Sequence, residues 1–250
     1  MIREYLRSRS GASYDVNLTI SKENYLKAIA EAASEGETVI AASLARWLQL
    51  SPPAATMALQ RLKRDKLVHI SKEGRVSLTT EGSQIAERVM CRHHLIERML
   101  AEVFGMEWYK VHDEAEQLEH AVSEDFEARL VDVLGPGTAC PHGSVVGADS
   151  PEDRRRRGWR LLSDVQEPTD LVVVSVYERD RRLLEFLENL GLRPSACFRW
   201  ITRNYDETIV LLVADRTIQL GGRAAHRIWV KSAENKPVAR GNHRNPDVPI

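Results

Sequence analysis

The chain has 250 residues, 43% of them hydrophobic and 28% charged, with a formal net charge of −1, a balance ordinary for a globular protein of one to three domains. No run approaches the roughly 18 consecutive apolar residues of a membrane-spanning helix, and the opening MIREYLRSRSGAS lacks the apolar core of a secretory signal. A cytoplasmic protein is expected, with Cys91, Cys140 and Cys197 as reduced thiols, since they are odd in number, far apart and form no CxxC pair.

The small net charge hides a division along the chain. Residues 1–80 carry 12 Lys and Arg against 8 Asp and Glu, residues 81–150 carry 5 against 14, and residues 151–250 carry 18 against 14. A basic head suits nucleic-acid contact and an acidic middle suits cation binding.

The head predicts three helices and a hairpin. Ser21 is placed to cap a helix with Tyr25, Leu26, Ile29 and Ala30 on one face; AASLARWLQL forms a second; Ser51 caps a third, PPAATMALQRLKRDK, whose prolines are tolerated in a first turn. Leu59 and Leu62 point inward on that third helix, and Arg61, Lys63, Arg64 and Lys66 outward. LVHI and RVSLT flank SKEG, where Gly74 supplies a turn. Helix, helix, turn, helix, hairpin is the winged helix-turn-helix order. Ser51, Pro53, Thr56 and Met57 are then expected at base edges, with Ala54 and Ala55 allowing close approach, while Arg61, Lys63, Arg64 and the wing residues Lys72 and Arg75 meet the phosphate backbone.

A long amphipathic helix follows, capped by Thr80 and carrying His93 and Glu97 four residues apart; a second is predicted over 111–134. At about 100° per residue, His112, Glu116, Glu119 and His120 share one stripe of that second helix, beside an apolar stripe of Val111, Ala115, Leu118, Val122, Phe126 and Leu130. Crowded carboxylates repel unless a cation neutralises them, so a divalent metal between the two helices is predicted. The rival classes are a metallohydrolase, disfavoured because no HExxH motif is present, and a DNA-binding module with an organic effector.

With LTTEG, RHHLIERML and VHDEAEQLEH in order, the chain resembles the diphtheria-toxin repressor family of metal-dependent transcription regulators over residues 15–230. The resemblance implies a homodimeric repressor on a palindromic operator, with the helix after residue 111 helping to build the dimer interface. It assigns His93, Glu97 and His112 to the family's ancillary metal site and Glu119 and His120 to the primary site. Glu116 stands where iron-responsive members carry Cys and manganese-responsive members Glu, so Mn²⁺ is the expected cofactor and Fe²⁺ the alternative; carboxylate oxygens suit the harder ion. Asn24 occupies the place of the amino-terminal ligand, where its amide oxygen coordinates more weakly than a carboxylate, and Lys27 replaces a manganese-branch Glu.

Residues 135–157, rich in Gly and Pro and ending in four arginines, predict a linker with a solvated, mobile arginine run, and ligation by the Cys140 and His142 of CPHG is not expected. Beyond it, LVVVSVY, DRRLLEFLENLGLRP, ACFRWITR, TIVLLVAD, RTIQLGG and HRIWV predict short strands around one helix, a small barrel. This unit resembles the family's SH3-like, FeoA-like domain, which implies Glu178 as a further metal ligand, with Arg181 in place of an accompanying Gln. The expected fold class is mainly α with small β units: a winged helix-turn-helix domain (1–80), a helical metal-binding and dimerisation domain with its linker (81–150), an SH3-like domain (158–230) and a flexible tail (231–250).

Overall fold

The structure, a computed structural model, describes residues 18–135, 139–145 and 149–233. The head holds helices α1 (Ile20–Ser34), α2 (Ala41–Trp47) and α3 (Pro52–Arg64), then strands β1 (Val68–Ile70) and β2 (Val76–Leu78). Ser51 Oγ accepts from the Ala54 amide, so α3 starts at the serine with both prolines in its first turn. The cap of α1 is Thr19 rather than Ser21: the Thr19 side chain accepts from the Lys22 amide and the helix begins two residues earlier than the capping pattern suggested. β1 and β2 pair antiparallel with Ile70 opposite Val76, and Gly74 turns the wing at φ +78°. Leu26, Ile29, Leu44, Leu59, Leu62 and Leu67 fill the core between these elements.

Helix α4 (Thr80–Arg98) ties the head to the middle of the chain. Its cap is Thr79, whose side chain accepts from the Gly82 amide, one residue before the expected Thr80. Ile85, Ala86 and Met90 on its first half belong to the head's core, whereas Leu95 and Ile96 on its second half pack with Leu100, Val111, Ala115, Leu130 and Val131. One rigid helix therefore carries side chains of both cores. After a π-helical turn (Met99–Val103) the chain forms α5 (Val111–Leu118) and α6 (Glu124–Leu134), not the single helix predicted over 111–134. The break has local causes. Ser123 Oγ accepts from the Phe126 amide and restarts the helix, while the Arg92 guanidinium takes the Glu119 carbonyl at 3.0 Å that a continuous helix would have used internally. Leu118 and Phe126, expected on the buried stripe, are exposed, whereas Val111, Ala115 and Leu130 are buried.

The segment after α6 also departs from expectation. Cys140 and His142 are buried; Ala139 bridges Val145; and α7 (Pro151–Arg156) is capped by Ser150, whose hydroxyl accepts from the Asp153 amide. The arginine run is not a free tether: buried Arg154 pairs with Asp149 and with Glu35 at the end of α1, both at 3.1 Å, and Arg157 pairs with Asp149. Carboxylates far away in sequence convert a charge run into a clamp. Residues 136–138 and 146–148 lie outside the described residues.

The last unit is an antiparallel sheet in the order β3-β8-β4-β5-β6-β7, made of β3 (Arg160–Leu161), β4 (Thr169–Val176), β5 (Cys197–Arg203), β6 (Ile209–Val213), β7 (Arg216–Leu220) and β8 (Ile228–Ser232). Helix α8 (Arg181–Leu190) buries Leu184 and Leu187 against it, and a short α9 (Gly222–Ala225) precedes β8. Trp108 and Tyr109 pack on this core from the middle of the chain, docking the sheet on the helices. Of the expected tail, Lys231 and Ser232 lie in β8, and residues 234–250 lie outside the described residues.

Gly143 holds the Cys140 loop on the sheet. Its φ is +84°, and a Cβ there would lie 2.0 Å from the Val174 carbonyl oxygen. Gly143→Ala is expected to lift the loop from β4 and to destabilise the chain by about 1–3 kcal/mol, read from urea unfolding.

Candidate metal centre and nucleic-acid interface

Two helices and one strand end meet beneath the head. α4 supplies His93, His94 and Glu97; α5 supplies His112 and Glu116; the turn after α5 supplies Glu119 and His120; the residues after β4 supply Glu178 and Arg179. The expected single stripe is therefore divided. His112 and Glu116 project from the helix, but Glu119 and His120 lie beyond its last turn and face different partners.

The first cluster is His93, Glu97, His112 and Glu178, which bring one ligand atom each within 4.8 Å of one another. His93 Nε2 lies 3.0 Å from both Glu97 Oε1 and His112 Nδ1, and His112 Nδ1 lies 3.2 Å from Glu97 Oε1. Glu97 is fully buried at 0% exposure, and its Oε2 has no hydrogen-bond partner. Two imidazoles and two carboxylates in a largely buried site carry charge −2 when the histidines are neutral, and nitrogen and oxygen donors at this spacing fit a divalent first-row cation. Leaving an ionised carboxylate oxygen buried and unpartnered is costly, and a cation there would remove that cost.

Without a metal, protons and neighbouring charges do part of this work. Burial raises the Glu97 pKa, but the charges of His142 and His93 outweigh it and hold the carboxyl well below its usual range. Burial also pulls His112 down, and hydrogen bonds to Glu116 and Glu97 reverse this, raising its pKa from 6.5 to about 10. Reciprocally, the hydrogen bond from His112 lowers Glu116 to about 2. Because the folded-state pKa of His112 is raised, its contribution to stability is complete below pH 6.5 and is lost as pH rises through about 10. Chelator-treated protein is therefore expected to unfold at lower urea at pH 10 than at pH 6.5.

The second cluster joins the head to the middle of the chain. His120 Nε2 is 2.6 Å from Asn24 Oδ1, and its Nδ1 is 2.8 Å from Glu23 Oε2. Glu119 instead turns inward, with Oε2 at 2.7 Å from the buried Lys27 ammonium and 2.6 Å from His93 Nδ1. Lys27 also reaches Glu31 at 3.7 Å and Glu116 at 3.9 Å. Arg179 comes from the other side, bonding Glu31 at 2.8 Å and Glu116 at 3.0 Å while lying over the Trp47 ring. A cavity of about 270 Å³ opens between Asn24, Lys27, Glu116, Glu119 and Arg179. Asn24, Glu116, Glu119 and His120 are thus neighbours, but two fixed cations already neutralise the carboxylates. A metal using this set has Lys27 and Arg179 to displace, unlike the first cluster.

Arg181 lies apart from the metal-facing groups and pairs with Glu185 and Asp113. Sequence reasoning passed over the roles of Glu23, Glu31, His94 and Arg179, and it set Cys140 aside as a ligand although its thiol lies beside His94, Glu97 and Glu178. The i, i+4 spacing of Glu23, Lys27 and Glu31 on α1 was the available signal for a charged stripe, and Cys140 and His142 were a visible Cys/His pair; their partners are long-range.

Elsewhere on the head, Ser51, Pro53, Thr56, Met57, Arg61, Lys63 and Arg64 are exposed along α3, and Lys72 and Arg75 are exposed on the wing. Ala54 is exposed with them, but Ala55 is fully buried and faces the core. The first helix of this head also carries Asn24 and Lys27 into the second cluster, so metal-facing residues and the exposed basic helix belong to one small packed body.

A winged-helix head joined through a shared helix to a buried cluster of imidazoles and carboxylates defines a metal-dependent DNA-binding regulator. The profile described as "Iron dependent repressor, N-terminal DNA binding domain" matches residues 17–76, "Iron dependent repressor, metal binding and dimerisation domain" matches 79–146, and the FeoA domain matches 160–232. The iron-dependent repressor IdeR of Mycobacterium tuberculosis is 38% identical over 225 residues, 86% of this chain and 98% of that protein. The diphtheria toxin repressor of Corynebacterium diphtheriae is 36% identical over 130 residues, covering 52% of this chain and 58% of the relative. Among solved structures, a manganese-dependent transcriptional repressor in complex with manganese superposes with a TM-score of 0.75 at 30% identity, over 85% of this chain and all of that one. The chain belongs to the iron-dependent repressor family, whose members are DNA-binding transcriptional repressors and not enzymes. The mainly α architecture with a terminal SH3-like sheet is the fold expected of it, and no described helix is long and apolar enough to cross a membrane.

Proposed function

We propose that the chain is a cytoplasmic, manganese-responsive repressor that acts as a homodimer on a palindromic operator controlling metal-homeostasis genes. The observation that carries this reading is the buried cluster of His93, Glu97, His112 and Glu178 with the unpartnered Glu97 oxygen. Its oxygen and nitrogen donors, and the carboxylate of Glu116 where iron sensors resembling this chain carry a thiol, favour Mn²⁺ over softer ions. Sequence relatives named for iron and a structural neighbour named for manganese support the shared chemistry of the two metals, with Fe²⁺ as the alternative.

When bound, the cation would supply positive charge that neutralises the buried carboxylates. His93 and Glu97 on α4, His112 on α5 and Glu178 beyond β4 would hold it, joining the middle helices to the terminal sheet. His93 Nδ1 also contacts Lys27 and Glu119, so the order imposed on this ring reaches α1 and the head. A ligand shifts a conformational equilibrium only by its differential affinity; at about a hundred times its Kd a metal adds roughly 2.7 kcal/mol to the state that binds it exclusively, about a hundredfold in operator affinity. Phe126 and Val133, seven residues apart on α6 and exposed in the single chain, offer an apolar face for a second copy, and dimerisation sets two α3 helices at successive half-sites.

Ser51, Pro53, Thr56 and Met57 would read base edges, and Arg61, Lys63, Arg64, Lys72 and Arg75 would hold phosphates. Arg61→Ala is expected to reduce the salt dependence of binding by about one in slope without changing sequence preference. The deciding experiment selects bound duplexes from a random DNA pool using chelator-stripped protein with no metal, with Mn²⁺ and with anaerobic Fe²⁺. Enrichment of an inverted repeat only with metal is expected, with Mn²⁺ the more potent; equal enrichment without metal overturns the reading.

A further inference from the structure

We propose that His94, Glu97, Cys140 and Glu178 form a second metal position beside the first, sharing two carboxylates with it and taking a softer divalent cation through the Cys140 thiolate. One ligand atom from each of these residues falls within 4.8 Å of the others. The inference rests on the metal reading of the first cluster, because Glu97 and Glu178 belong to both.

Glu97 turns one oxygen to the imidazoles of the first position and keeps the other without a partner, whereas both Glu178 oxygens lie beside groups of the second. Glu97 Oε1 contacts His93, His112 and His142 at 3.0–3.3 Å, whereas Oε2 is buried without a hydrogen-bond partner. Glu178 Oε2 lies 3.7 Å from Cys140 Sγ and accepts from Ser144 Oγ at 2.9 Å, and Oε1 lies 4.0 Å from His94 Nε2. Bridging carboxylates of this kind support paired ions about 3.5–4 Å apart. His94 is 2% exposed and its Nδ1 also lacks a partner, a second buried polar group that the protein leaves unanswered.

The loop that delivers the thiol is built, not loose. The Cys140 amide donates to the Ser144 carbonyl, the Gly143 amide donates to the Cys140 carbonyl, and Gly143 lies directly on the backbone of β4. His142, fully buried, is anchored at 2.8 Å to the Trp108 carbonyl and stands 3.8 Å from Cys140 Sγ. Sulfur beside imidazole and carboxylate selects Zn²⁺, Co²⁺ or Fe²⁺ over Mn²⁺. As the metal–sulfur bond forms, the S–H bond breaks and its proton leaves to solvent, with no change of oxidation state. The paired position would make the cluster respond differently to manganese and to softer metals.

The test is anaerobic Co²⁺ titration of the full chain, followed by equilibrium dialysis and near-ultraviolet absorption. Two cobalt ions bound at this cluster and a thiolate-to-cobalt charge-transfer band are expected; Cys140→Ser should abolish the band and one of the two ions. His94→Asn, of similar size and polarity, should weaken the same ion and spare the other. A band that survives Cys140→Ser, or cobalt bound with no band, overturns the proposal while leaving the first cluster intact. Failure to bind cobalt or Mn²⁺ at all overturns the metal reading itself.

Discussion

Lys27→Met is expected to destabilise the metal-free chain by about 3–5 kcal/mol, the cost of removing one partner from a buried ion pair. Glu119 is 2% exposed and Lys27 is 4% exposed, so the abandoned carboxylate has little water to turn to. Burial alone would lower the Lys27 pKa, but the charges of Glu31, Glu119 and Glu116 raise it, which places the ammonium form in the folded protein. Methionine keeps the length of the aliphatic stem and most of its packing, so the loss reports the charge. The same variant is expected to regain more stability from Mn²⁺ than the unaltered chain does, because a cation between Glu116 and Glu119 no longer competes with the ammonium. Urea unfolding with chelator and with Mn²⁺ measures both effects; a loss below about 1 kcal/mol would place the pair among ordinary surface ion pairs.

Glu97→Gln is expected to remove the metal response while preserving the fold. Glutamine has the same shape and can still hydrogen-bond the neighbouring imidazoles, but it withdraws the charge common to both clusters of potential ligands around Glu97. The roughly 2.7 kcal/mol gained at a hundredfold excess of metal over Kd, and the corresponding hundredfold gain in operator affinity, should both vanish. Fluorescence anisotropy of a labelled operator, with and without Mn²⁺, reads the second; a retained metal-dependent gain removes Glu97 from the site. Glu116→Ala is expected to act differently, because Glu116 is half-exposed and engages Arg179 and Lys27 as well as His112. Its loss should loosen the terminal sheet from the head as well as alter metal affinity.

The outcome for individual elements shows which physics is local. The winged helix-turn-helix was readable because each of its parts is specified within a few residues: Ser51 and two prolines start α3, Leu59 and Leu62 repeat on its buried face, and Gly74 turns the wing. The pair His93 and Glu97 was equally readable, since four residues on a helix place two side chains together whatever surrounds them. The single helix over 111–134 failed for the complementary reason. Its apolar periodicity continues through Glu119–Ser123, but a guanidinium from α4 captures the Glu119 carbonyl and Ser123 begins a new helix. Periodicity records which face is apolar and says nothing about a carbonyl taken from outside.

By itself, then, the sequence determined the fold class, the order of its three units, the basic helix and the residue types able to bind a metal, which follow from short-range periodicity, capping and spacing together with the family resemblance that those motifs carry. The tertiary structure alone decided which of those residues meet. Lys27 and Glu119 are 92 positions apart, Arg154 and Glu35 are 119, and Arg179 and Glu31 are 148. Nothing in their local surroundings selects these partners. They are chosen when the cores pack and each buried charge must find its complement within reach, and the same packing that carried Cys140 into the cluster set two cations on the carboxylates of the second.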